Sequence, residues 1–148
     1  MRYTNTMKEL QLSVHINAPK EKVWNALWED QSFREWAGII DPGTYTVGEL
    51  IEGNEIQFIS AENGYGVTSL VEKLIPNEYL LLRHSADTQD TGTREREKQW
   101  AGGSEQYSLA EEQGGTTLSV VFDVPAELEE LLKVSYHKAF EKVKELAE

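Results

Sequence analysis

The chain has 148 residues, 14 basic against 26 acidic side chains, a formal charge of −12 and no cysteine. Its length predicts a single domain spanning 1–148, of a size that buries roughly 68–70% of its unfolded surface. The absence of cysteine excludes disulfides, thiolate nucleophiles and Cys-ligated metal centres, and the acidic balance argues against nucleic acid or an anionic membrane as partner.

Met1 to Thr6 lacks the apolar stretch of a signal peptide, and no run approaches the ~20 apolar residues of a membrane span. A soluble, cytoplasmic chain is expected. The 39% hydrophobic content is too high for wholesale disorder. Residues 8–17 alternate, with Leu10, Leu12, Val14 and Ile16 on one face, which predicts a half-buried strand. Pro19 fits the first turn of a helix, where its missing N–H costs little. Val23 with Leu27, and Trp24 with Trp28, are i,i+4 pairs on that helix. Ser32 followed by Glu35 reads as a capping box for a second short helix carrying Phe33 and Trp36. Gly38 is expected to end it.

Beyond Pro42 the pattern turns to period two. Candidate strands lie at 44–51, 55–61, 66–75, 78–85, 104–112 and 116–123. Gly53-Asn54, Asn63-Gly64, Pro76-Asn77 and Gly114-Gly115 supply turns, which implies an antiparallel meander. Tyr107 and Leu109 share one strand face, as do Leu118, Val120 and Phe122. Ala86 to Gly103 follows no clear period; a lid, a binding loop, a disordered segment or an exposed hairpin arm is expected there. Pro125 stops the sheet, and 126–147 reads as a long amphipathic helix. Its stripe is Leu128, Leu131, Leu132, Ser135, Ala139, Val143 and Leu146.

This order predicts an α+β architecture. An antiparallel curved sheet wraps around the long C-terminal helix, with two short helices after the first strand. A space between sheet and helix would suit an apolar ligand.

Ile16-Asn17-Ala18-Pro19-Lys20-Glu21-Lys22-Val23-Trp24, followed by Trp36, resembles the opening of the START-related helix-grip (SRPBCC) superfamily. In particular it looks like the branch related to the activator of the heat-shock-protein ATPase. Gly114-Gly115-Thr116-Thr117-Leu118 resembles the last hairpin of that branch. The resemblance covers nearly the whole chain and implies the helix-grip fold. The superfamily includes lipid carriers, polyketide cyclases and co-chaperone domains, so the resemblance does not choose among them. The chain departs from the branch twice. Residues 42–48 lack a double glycine, and the last helix reads Ser135-Tyr136-His137-Lys138 where a Gly-Trp pair is common.

There is no Gly-x-Ser-x-Gly elbow, phosphate loop or dinucleotide fingerprint, and no His pair at metal spacing. No catalytic residue, metal or cofactor is therefore nominated. His15 lies opposite the apolar face of its strand, and His137 follows Tyr136 on the helix; both are expected in solvent. His84 shares parity with Leu80 and Leu82 and points inward, either as a satisfied polar wall residue or as a general acid or base. Trp24 and Trp28 read as core. Trp36 and Trp100 are placed at a cavity mouth, where an indole can pack or close over a ligand with its N–H wet. Tyr65, Tyr107 and Tyr136 could offer hydroxyls to a bound carbonyl or phenol, or act as structural donors. The candidate ligand-binding set is thus Trp36, Tyr65, His84, Trp100, Tyr107 and Tyr136. The leading expectation is binding of a hydrophobic or amphipathic small molecule, lipid- or polyketide-like. The alternatives are a co-chaperone-like module with a chaperone partner, and a cyclase- or hydratase-like enzyme.

Overall fold

β1 (Met7–Ile16) leads into α1 (Lys20–Trp28) and α2 (Asp30–Ile40). Then come β2 (Thr44–Val47), β3 (Glu55–Ser60), β4 (Tyr65–Ile75), β5 (Tyr79–Gln89), β6 (Ser104–Glu112) and β7 (Gly115–Pro125). A 3-10 turn at Ala126–Leu128 opens the last helix, α3 (Glu129–Ala147). The computed structural model describes residues 7–62, 65–89 and 103–148. The expected element order and the α+β helix-grip architecture are both present.

The strands form one curved seven-stranded sheet in the order β1-β7-β6-β5-β4-β3-β2, every pair antiparallel. The meander from β2 to β7 follows from short connections, which favour antiparallel neighbours. β1 returns to the far edge and pairs with β7 from Met7↔Pro125 to Ile16↔Thr116. α3 packs against α2, β1 and α1, so the helices cover one face of the sheet. The core lies between them, where Leu80, Leu82, Tyr107, Leu118, Val120 and Phe122 meet Tyr136, Ala139, Phe140 and Val143.

Several local expectations are corrected. Gly38 does not end α2; the helix runs through it to Ile40. The stop comes from Pro42, whose ring disfavours helical geometry at the preceding residue, and Asp41 is accordingly extended (φ −136°, ψ 113°). Ser32 forms no capping box. α2 starts after Glu29, and the Ser32 hydroxyl donates to the carbonyls of Asn25 (3.0 Å) and Glu29 (3.2 Å), stitching α1 to α2. Pro19 is the residue before the first turn of α1, one place earlier than expected. The strand expected at 44–51 ends at Val47, because Gly48 takes a positive φ of 107° that other residues rarely adopt. β7 extends past 116–123 in both directions, and β5 extends to Gln89, into the stretch expected to be irregular. Most of the rest of that stretch lies outside the described residues.

The apolar stripe of α3 is also rotated from the one expected. Leu132, Tyr136, Ala139, Phe140, Val143 and Ala147 are buried, whereas Leu131 is 64% exposed. No helix among the described residues is long and apolar enough to cross a membrane.

Candidate functional site

A pocket of about 120 Å³ opens between α1, α2, α3 and the inner face of the sheet. Its apolar walls include Trp28, Phe33, Trp36, Phe58 and Leu82. Polar groups also reach it: Asp41 at the end of α2, Thr44 and Ser60 on β2 and β3, His84 on β5, Glu105 and Tyr107 on β6, and Tyr136 on α3. The pocket is therefore mixed in character rather than purely apolar.

The aromatic wall is a linked set of rings. Trp28 meets Tyr107 edge-on at 4.9 Å between centroids, and Phe33 meets Trp36 edge-on at 5.2 Å. Phe33 contacts Phe58 at 5.8 Å, and Trp36 contacts Phe140 at 5.9 Å. Edge-to-face pairs at these distances add about 0.5–1.5 kcal/mol each beyond area burial, so the wall is stiff.

The polar wall is built by strand register. Ser69 and His84 are direct partners across β4 and β5, and both are fully buried. Ser69 Oγ lies 2.7 Å from His84 Nδ1. The other ring nitrogen, Nε2, lies 3.4 Å from Glu105 Oε2. That separation is longer than a charge-assisted hydrogen bond of about 2.7–2.9 Å. Tyr107, two residues along β6 on the same face, donates its hydroxyl to Glu105 Oε1 at 2.7 Å. Only 13% of the Glu105 side chain is accessible.

Burial pushes the Glu105 carboxyl up. Hydrogen bonding and Coulomb attraction from His84, with the hydroxyls of Tyr107 and Tyr136, outweigh it, and the net shift is downward. Tyr107 and Tyr136 are held well above the usual tyrosine value, first by burial and then by the adjacent Glu105 carboxylate. The arrangement thus favours an ionised carboxylate embraced by two neutral phenols.

Four of the six nominated residues, Trp36, His84, Tyr107 and Tyr136, line this pocket. Tyr65 begins β4 opposite Ser60; its side chain lies outside the description. Trp100 lies outside the described residues. His137 is exposed as expected, whereas His15 is half-buried beside Thr117 rather than solvated.

Both Trp36 and Trp28 line the pocket, but neither indole N–H sits as expected. Trp36 is 3% exposed, and its N–H donates to the carbonyl of Leu27 at 2.9 Å. It therefore satisfies an orphan carbonyl at the end of α1 and is not wet. Trp28, expected only as core, lines the pocket, and its buried Nε1 finds no hydrogen-bond partner among the described residues. Glu105 was not nominated at all. Its parity with Tyr107 and Leu109 was the available signal, since a carboxylate at an inward position calls for a partner. Asp41, Thr44 and Ser60 carried no such signal, because their positions depend on where α2 stops and β2 begins.

Residues 17–146 match the family model described as Activator of Hsp90 ATPase homolog 1-like protein. No curated protein matches the chain in sequence. The fold is similar to that of protein CV1439 from Chromobacterium violaceum, at 17% identity and a TM-score of 0.68 over 94% of this chain and 96% of that one. It is similar to the Aha1 dimer from Colwellia psychrerythraea, at 21% identity and 0.65, over 95% and 93%. DynU16, from the dynemicin biosynthetic locus, gives 16% identity and 0.68, over 93% of this chain and 46% of that one. At such identities the likeness is one of fold. The sequence match across nearly all of the chain goes further: the protein belongs to the family of Activator of Hsp90 ATPase homolog 1-like proteins.

Proposed function

We propose that this protein binds a small amphipathic molecule in the pocket between the sheet and α3. The observation that carries the reading is the pairing of an aromatic wall with one polar pole, the Glu105 carboxylate and its Tyr107 and Tyr136 hydroxyls. Size narrows the ligand. An engineered cavity of about 150 Å³ holds one benzene ring, whereas drug-sized ligands occupy roughly 300–1,000 Å³. A pocket of about 120 Å³ therefore suits a ring-sized molecule or the end of a longer one, not a whole lipid or polyketide. The fold shared with DynU16 of the dynemicin biosynthetic locus supports a small-molecule role.

A native mass-spectrometry and thermal-shift panel of ring-sized aromatics, with lipids and polyketides for comparison, tests the reading. Saturable binding of a ring-sized compound, lost in Trp28→Ala, supports it. No saturable binder anywhere in the panel overturns it.

A catalytic reading draws on the Ser69–His84–Glu105 array. Ser69 does not line the pocket, so it serves to orient His84 and is no nucleophile. The downward shift of Glu105 also moves it away from the neutral range in which a general base works best. Binding is therefore favoured over turnover. His84→Ala, assayed for conversion of any ligand found, tests that preference.

A chaperone partner is the second reading. It is favoured by family membership together with Leu131 (64% exposed) and Val134 (54% exposed) on the outer side of α3. A changed ATPase rate of purified Hsp90, abolished by Leu131→Asp, would support it.

A further inference from the structure

Three of the hydroxyls that line the pocket direct their protons at the protein itself. Tyr107 donates to Glu105 Oε1 at 2.7 Å. Thr44 donates to the backbone carbonyl of Asp41, and Ser60 to that of Pro42 at 2.8 Å. A hydroxyl oxygen whose proton is engaged keeps its lone pairs, so these groups meet a ligand as acceptors. Glu105 is the strongest acceptor of the set. Its carboxyl is held ionised, and an ionised carboxylate accepts without donating, with about four lone-pair sites on its two oxygens. Tyr107 takes one of these at Oε1, His84 Nε2 stands 3.4 Å from Oε2, and the Tyr136 hydroxyl acts on the same group. These contacts leave part of the carboxylate's capacity open, and its side chain still reaches the pocket.

The rings of Trp28, Phe33 and Phe58 line the same space. An aromatic ring packed among them buries its apolar body, and a hydroxyl on its edge loses its hydration. Glu105 replaces the lost water with a hydrogen bond to a charged acceptor, which is stronger than a neutral one. An ether or carbonyl oxygen in that position sets acceptor against acceptor and loses its water without return. Such a ligand would have to turn instead to the Trp28 N–H, which is buried and has no partner among the described residues.

We infer that the pocket takes a hydrogen-bond donor: a phenol or related hydroxylated ring whose O–H donates to the Glu105 carboxylate while the ring packs among Trp28, Phe33 and Phe58. The inference rests on the small-molecule reading above and adds the chemistry of the ligand's head group.

p-Cresol, anisole and p-xylene are matched in size. The first carries an O–H, the second an oxygen without a proton, and the third neither. Each is titrated into the full chain at pH 7 and followed by proton–nitrogen NMR, which also reads the indole N–H of Trp28. p-Cresol is expected to bind at least about tenfold more tightly than either of the others, the range of a hydrogen bond to a charged group. A smaller margin overturns the inference and leaves the small-molecule reading standing. Saturable binding of none of the three also overturns it, and the wider panel above then decides the small-molecule reading separately. Glu105→Gln, checked for folding by circular dichroism, puts an amide N–H in place of one carboxylate oxygen and should bring the margin over anisole toward one. A margin that persists there overturns the inference, since the carboxylate would then not be its source. Tyr136→Phe removes a hydroxyl that competes for Glu105 and keeps the carboxylate, so the margin should hold or widen. Its loss in that variant overturns the inference, and this arm stands even where Glu105→Gln fails to fold.

Discussion

Ser69 Oγ and His84 Nδ1 lie 2.7 Å apart across the β4–β5 pair, and neither residue reaches solvent. This contact fixes the imidazole plane and turns Nε2 toward Glu105. The polar pole of the pocket thus depends on a serine that never touches it.

Ser69→Ala is expected to destabilise the protein by about 1–3 kcal/mol, because it strips a buried imidazole nitrogen of its partner. Urea unfolding measures the loss. Ser69→Thr, which retains the hydroxyl, should recover part of it.

Glu105 sets an acid limit on stability. Its folded pKa is depressed, so the unfolded chain binds more protons between the folded value and the ordinary carboxyl value near 4.5. Stability from this group is complete above that ordinary value and is lost as pH falls through the folded one. Urea midpoints measured from pH 7 down to pH 3 should therefore fall less steeply in Glu105→Gln than in the parent. Equal slopes would remove Glu105 as the source.

Tyr107 and Tyr136 set the opposite limit. Their folded pKa values are raised, so their contribution is complete below about pH 10 and declines as pH climbs toward the folded values. Phenolate absorbance should appear for these two only together with alkaline unfolding. Titration of all described tyrosines in the folded state would contradict their burial.

The two indoles should respond differently to loss of the N–H. Trp36→Phe orphans the Leu27 carbonyl and should cost about 1–3 kcal/mol, read as a drop in unfolding midpoint. Trp28→Phe breaks no hydrogen bond within the described residues and should cost less.

Gly66 lines the pocket on β4, and a Cβ there would sit 1.8 Å from the Phe58 carbonyl oxygen on β3. Backbone cannot yield as a flexible side chain does. Gly66→Ala should therefore lower stability by about 3 kcal/mol or more and disturb the Phe58 wall.

Much of this molecule was legible in one dimension. The alternation of Leu10 to Ile16 and the Gly114-Gly115 turn before 116–123 predicted β1 and the β6–β7 hairpin, because strand periodicity and turn chemistry are local. The parity of His84 with Leu80 and Leu82 likewise placed its ring inside. Errors gathered where local rules compete. Gly38 and Ser32 carry cap signals, yet packing of Phe33, Trp36 and Ala37 against the core sustains the helix across both until Pro42 intervenes. In α3 both Leu131 and Leu132 fit an apolar spacing, and only contact with the sheet chose Leu132.

By itself the sequence determined the order of elements, the inward parity of His84 and Tyr107, and the absence of thiol chemistry. These follow from period, turn residues and composition, which need no partner. Tertiary structure alone decided that Ser69, His84, Glu105 and Tyr107 are joined in one chain of contacts, and that the last three line one pocket with Asp41 and Trp28. Those contacts join β4, β5, β6, α1 and α2, and their geometry depends on strand register and on how the helices lie over the sheet. No local pattern in the chain records either quantity.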